Sequence, residues 1–260
     1  MTNQQRPRMC IDRVIPFHLE ADARNVAVAE NPANAVSSAP LEDPSVPAHK
    51  KLALVKRTMW APGRTLRVQF LDGTPFLHDR VRQFASEWTK HANLSFEFGD
   101  DDDAEIRISF TCDPGSSWSG VGTDNLVEKY FPKHQPTMNF GWFDDNTDDT
   151  ELSRVIIHEF GHAIGCIHEH QNPKGGIQWN EAAVLAFFKG PPNFWKEDEI
   201  RFNVLDKYSE QVLNASEFDP DSIMLYEFPA ALTTNQQGTH SNTKLSTMDI
   251  EFIRKMYPGR

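Results

Sequence analysis

Polar and apolar residues alternate from Thr65 to Phe70 (TLRVQF), and a turn-forming Asp72-Gly73 follows. A period of two marks a half-buried strand, because successive side chains point to opposite faces. The alternation returns in residues 94–99 (LSFEFG) and 104–110 (AEIRISF), and residues 136–143 (PTMNFGWF) read as a further strand. Between the first two, residues 78–93 place Val81, Phe84, Ala85 and Trp88 at helical spacing. Residues 115–124 (GSSWSGVGTD) are rich in glycine and serine and read as a loop carrying an exposed tryptophan, Trp118. The order strand, helix, strand, strand, strand predicts a twisted sheet with helices packed on it, an α+β fold.

Beyond residue 150 the period changes. Leu152, Val155, Ile156, Phe160 and Ala163 gather on one side of a helix over 150–164, which Asp148 or Asp149 is placed to cap. Residues 177–188 predict another helix with Asn180 as its N-cap, and residues 195–209 a third. At the C-terminal end Ser246 and Asp249 stand as a capping box with Asp in place of Glu, and Pro258-Gly259 stops the last helix. Ahead of all this, residues 17–30 predict a short helix, and residues 31–48 carry four prolines like a linker or extended arm. The expected division is therefore an appendage over 1–50 and a main domain over 51–260.

Composition narrows the function. The chain has 260 residues, 39% hydrophobic and 24% charged, enough for a sizeable core. A net charge of -11 argues against nucleic acid as a partner, since phosphate binding needs a basic surface. No apolar run approaches the ~20 residues of a membrane helix, so no membrane partner is expected. The first residues lack a secretory leader. Cytoplasmic residence, leaderless export, or secretion with the leader already gone all remain open. The three cysteines, Cys10, Cys112 and Cys166, do not make a disulfide framework. Cys166 is expected as a small core residue. The acidic runs at 99–105 and 144–151 lack calcium-loop spacing, so solvated loops are expected there before Ca²⁺.

The chemistry is concentrated in residues 158–170, HEFGHAIGCIHEH. His158 and His162 are four positions apart, so they project from one helix face, roughly opposite the apolar stripe. Two imidazoles so placed can hold Zn²⁺, with Glu159 beside them to reach a bound water. If the helix continued, His168 would lie about 15 Å along the axis from His158, out of reach. Gly165 can adopt the left-handed conformation that ends helices, letting the chain turn back and deliver His168. Three neutral histidines with a fourth position open make a catalytic zinc site. His170 is the weaker candidate for third ligand.

His158-Glu159-x-x-His162-x-x-Gly165-x-x-His168 resembles the extended motif of the metzincin metalloproteases. Ser222–Tyr226 (SIMLY) is similar to that family's Met-turn, and Glu169, Tyr226 and the terminal helix are most similar to a microbial astacin-like branch. The continuation after Glu169 (HQNPKGG) and the small cysteine count depart from animal astacins. The resemblance implies a two-subdomain protease with a five-stranded sheet, its edge strand antiparallel, and a zinc cleft between 51–166 and 167–260. It implies a zinc endopeptidase acting on protein or peptide, with one catalytic Zn²⁺ on His158, His162 and His168. Glu159 is implied as general base, Tyr226 as an additional zinc ligand and oxyanion donor, and Met224 as an apolar floor. A catalytically weak metal- or peptide-binding relative is the alternative, and retention of Glu159 argues against it. Either GSSWSGVG or TMNFGWF is expected to border the cleft. RPRMCIDR loosely resembles the matrixin cysteine switch, but a buried structural role for Cys10 is preferred, because Met9 interrupts the match.

Overall fold

The computed structural model describes residues 10, 13–35, 58–191, 194–207 and 217–260. Five strands form one sheet: β1 (Thr65–Phe70), β2 (Ser95–Phe98), β3 (Ile106–Ser109), β4 (Ser117–Ser119) and β5 (Met138–Phe140), in the order β2-β1-β3-β5-β4. All neighbours run parallel except β4, which pairs antiparallel with β5 through Ser117↔Phe140 and Ser119↔Met138. β4 is therefore an antiparallel edge strand. It lies in the stretch expected as a loop, and its Trp118 is 4% exposed rather than open to solvent. Three residues are too few for alternation to show, which is why the pattern missed it.

β3 is buried along its whole length, as expected of a strand with neighbours on both sides. Its Arg107 is tolerated there because backbone carbonyls of Ala104 (2.8 Å), Gln135 (2.7 Å) and Phe131 (3.1 Å) accept from the guanidinium. Against the sheet pack α2 (Pro75–Thr89), capped by Thr74, and α3 (Asp149–Ala163). Asp148 caps α3, accepting from the amides of Thr150 and Glu151. The Trp88 indole of α2 donates to the Ile157 carbonyl at 2.7 Å, locking the two helices together.

The arm belongs partly to this body. α1 (Glu20–Glu30) is followed by a 3-10 turn, Pro32–Asn34, whose buried asparagines seize the start of the main domain. Asn31 donates to the Trp60 carbonyl (3.0 Å), and Asn34 both donates to Met59 (2.8 Å) and accepts from it (3.2 Å). The rest of the expected linker, 36–48, lies outside the described residues. In the second half α4 (Glu181–Lys189) starts at its predicted cap, Asn180. α5 (Glu197–Ile200) runs into a π-helical turn, Arg201–Leu205. α6 (Thr247–Met256) begins at the Ser246/Asp249 capping box.

Candidate metal centre

The end of α3 builds the site. Gly165 has φ +97, and the amides of Gly165 and Cys166 donate to the carbonyls of His162 (2.8 Å) and Gly161 (2.9 Å). That pair of bonds is the Schellman stop, and a left-handed glycine is what it requires. The remaining helix-end carbonyls are taken by side chains: Trp60 Nε1 donates to Ala163 at 2.8 Å and the Tyr257 hydroxyl to Ile164 at 2.7 Å. The chain then reverses and brings His168 back to the helix. Nε2 of His168 lies 3.2 Å from Nε2 of His158 and 3.1 Å from that of His162, which is itself 3.2 Å from His158.

These three nitrogens form a metal cradle. Nδ1 of His158 faces the Ile223 carbonyl (2.9 Å) and Nδ1 of His162 the Cys166 carbonyl (2.9 Å). A carbonyl only accepts, so each Nδ1 carries the proton and each Nε2 offers a lone pair. Burial, and next the neighbouring imidazoles, hold His158 and His168 well below the ordinary histidine range, so they are neutral, as ligands must be. All three are buried, and among the described residues they are the one group of this kind. His170 takes no part; its Nε2 donates to the Asn203 carbonyl at 2.8 Å.

The floor is Met224, buried, with its sulfur against Gly161: a Cβ added at that glycine would stand 2.5 Å from Sδ. Asp249 holds this turn from below, accepting from the Ser222 hydroxyl (2.7 Å) and the Ile223 amide (2.9 Å). Glu169 ties the loop after His168 to the same region, accepting from the Asp219 amide and Asn172 (both 2.9 Å), and burial pushes its carboxyl up to about 7. Glu159 is fully buried beside the histidines. The Tyr226 hydroxyl touches His168 Nε2 and donates to the Cys10 carbonyl at 2.9 Å.

Cys10 is buried as expected and packs in the core, where its carbonyl meets the Tyr226 hydroxyl beside the histidines; burial, and next the nearby Glu159 carboxylate, push its thiol well up. Its backbone bridges Ser117 of β4, and Arg13 bridges Gly120, both in parallel sense. Of the two stretches expected at the cleft, it is the one around β4 that these two arm residues pair with. Arg154 was also missed. One turn before His158, it pairs through Nε with Glu151 at 2.8 Å, and Glu151 accepts from Trp142 Nε1 at 3.1 Å. Its position at i−4 from His158 was the available signal. The acidic runs hold cations and caps: Asp101 pairs with Arg67 (2.8 Å), Asp103 with Lys133 (2.6 Å) and Asp149 with Arg80 (3.0 Å).

Comparison with known proteins fits this centre. A family model described as matrixin, Peptidase_M10, matches residues 75–174, from α2 past the third histidine. A solved structure of myroilysin is 42% identical, covers 80% of this chain and 98% of that one, and has a TM-score of 0.76. The chain belongs to the metzincin zinc metalloproteases. A crystal structure of myroilysin is similar at 41% identity, covering 78% of this metzincin and 86% of that chain, with a TM-score of 0.60. Human matrix metalloproteinase-17 is 32% identical over 111 residues, 36% of this chain, which spans only 18% of that relative's length. A hatching enzyme zinc-protease of the medaka fish Oryzias latipes, high choriolytic enzyme 1, is 15% identical with a TM-score of 0.51, covers 78% of this chain and 96% of its own, and shares the fold alone. The protein is thus a zinc metalloprotease acting on protein or peptide. The family match lies with the matrixins, and the astacin-like branch suggested by Glu169 and Tyr226 is not carried by these likenesses.

Proposed function

We propose that this metzincin is an endopeptidase in which Glu159 moves the protons, Tyr226 steadies the developing charge, and the arm keeps the site latent. The observation that carries the reading is the convergence of three imidazole nitrogens beside the buried Glu159. His158, His162 and His168 would hold Zn²⁺, which when bound would supply an acidified water and a Lewis acid for the scissile carbonyl. Glu159 accepts the proton of the attacking water and returns it to the leaving amine. The Tyr226 hydroxyl, now on the Cys10 carbonyl, is placed to donate to the carbonyl oxygen of a substrate as charge builds on it. Met224 packs the floor, and Gly165 lets His168 return.

Residues 1–50 act on this site through Cys10. With the Cys10 backbone seated on the Tyr226 hydroxyl, the arm keeps peptide from the centre. The net charge of -11 disfavours nucleic acid, and no described helix is long and apolar enough to cross a membrane.

The test separates metal binding from turnover. Glu159→Ala leaves the three histidines untouched, so it retains zinc, while kcat/KM on a peptide falls by roughly 10²–10⁴-fold. Near-normal cleavage by that variant sinks the mechanism. Zinc bound with no cleavage by the chain that keeps Glu159, even when it carries Cys10→Ala, favours the weak metal- or peptide-binding alternative.

A further inference from the structure

The arm occupies the cleft with more than its cysteine. Arg13 lies three residues beyond Cys10 in the sequence. Its guanidinium carbon sits 4.2 Å above the Trp118 ring, and Nη2 is 3.2 Å from the Asp113 carboxylate. Trp118 Nε1 donates to the same Oδ2 of Asp113 at 3.2 Å, so ring and carboxylate are fixed relative to each other. The Asn139 amide and the Ser116 backbone N–H, both donating to the Asp113 carbonyl (3.0 and 3.1 Å), hold that residue in place. The result is an aromatic floor with a carboxylate at one edge. That is the shape and charge that receive a guanidinium, by stacking and by ion pairing together.

The pocket stands on β4, the edge strand of the sheet, next to the Cys10 backbone that meets Tyr226. An edge strand offers unpaired amides and carbonyls to any extended peptide, and side chains of that peptide then fall into whatever pockets flank the edge. The arm already pairs there, at Ser117 and Gly120. A substrate must use the same edge once the arm is gone.

We infer that Trp118 and Asp113 form a subsite for a basic side chain, arginine before lysine, filled by Arg13 in the latent chain and by a residue of the substrate during cleavage. This rests on the endopeptidase reading above. The subsite lies about three residues from the scissile bond. Which side of that bond the basic residue occupies depends on whether substrate runs with the arm or against it.

The experiment uses the full chain carrying Cys10→Ala and Arg13→Ala, which unplugs the metal and empties the pocket. Peptides of one sequence carry arginine, lysine or glutamine at each position from three before to three after the scissile bond. Ratios of kcat/KM are compared, since they do not depend on how much enzyme has released its arm. Arginine is expected to exceed glutamine by about tenfold at a single outer position, the size of a stacked, partly exposed ion pair. Lysine falls between them. Adding Asp113→Asn brings the ratio close to one, and Asp113→Lys reverses it. Cleavage with no arginine preference at any position, or a preference that Asp113→Asn leaves intact, overturns the subsite while sparing the endopeptidase reading. No cleavage of any peptide overturns both.

Discussion

The Tyr226 hydroxyl is held by the backbone carbonyl of Cys10 and lies against His168, so the group proposed to meet the substrate is engaged by the arm instead. Tyr226→Phe keeps the ring, which packs against His158 and His168, and removes only the hydroxyl. Its expected effect, measured in the Cys10→Ala chain, is a fall in kcat of roughly 10²–10³-fold with KM little changed, as for one lost oxyanion donor. A rise in KM at constant kcat would instead make Tyr226 a binding group. At the same scale, Asp124 sets a pH dependence. Burial raises its carboxyl from the ordinary 3.8 to about 7, because the charged form is poorly solvated there. The folded chain then holds a proton that the unfolded chain gives up. The contribution is fully present below about pH 4 and is lost as pH rises through about 7. Thermal midpoints at pH 5 and pH 8 test this: the drop between them is smaller in Asp124→Asn than in the unsubstituted chain. Equal drops would show a hydrated carboxylate.

Among the elements, α6 acts at a distance from its own turn. Asp249 completes its capping box by accepting from the Ser246 amide (2.9 Å), and spends its other bonds on Ser222 and Ile223. Since the Ile223 carbonyl orients His158, one carboxylate links the start of a helix to a proposed zinc ligand. Asp249→Asn replaces one acceptor by a donor facing donors. It is expected to cost roughly 1–3 kcal/mol of stability, read as a lower urea midpoint, and to weaken zinc affinity. A lower midpoint with unchanged zinc affinity would confine Asp249 to capping. The sequence showed one half of this. Ser246 and Asp249 are legible as a cap because capping depends on neighbours three apart, and the histidines and Gly165 are legible for the same reason: helix geometry converts local spacing into position. The contacts from Asp249 to Ser222, from Cys10 to Tyr226 and from Arg13 to Trp118 join residues far apart in the chain, and spacing carries no information about them. Trp118 is buried partly because Arg13 covers it, which no reading of its flanking serines could supply.

In the whole molecule the arm and the metal are the two large levers. Cys10→Ser shortens the reach to the centre and replaces the thiol by a hydroxyl. The full chain should then cleave peptide faster from the outset, and unchanged activity would leave the arm a packing segment only. Zinc itself should stabilise the fold, since three buried imidazoles converge only in the folded chain; a ligand at 1,000 times its Kd adds about 4 kcal/mol. Chelation should therefore lower the thermal midpoint and added zinc restore it, while His168→Ala should show neither change. The body that holds this centre closes on itself in one more way. Trp60 near the start of the main domain and Tyr257 three positions from the last residue meet at the carbonyls that end α3, and the Trp60 amide donates to the Tyr257 hydroxyl at 3.3 Å. The turn that returns His168 is thus clasped by both extremities of the domain. Trimming the tail back past Tyr257, remote though it is in sequence from every histidine, would loosen the third ligand as surely as a substitution beside it.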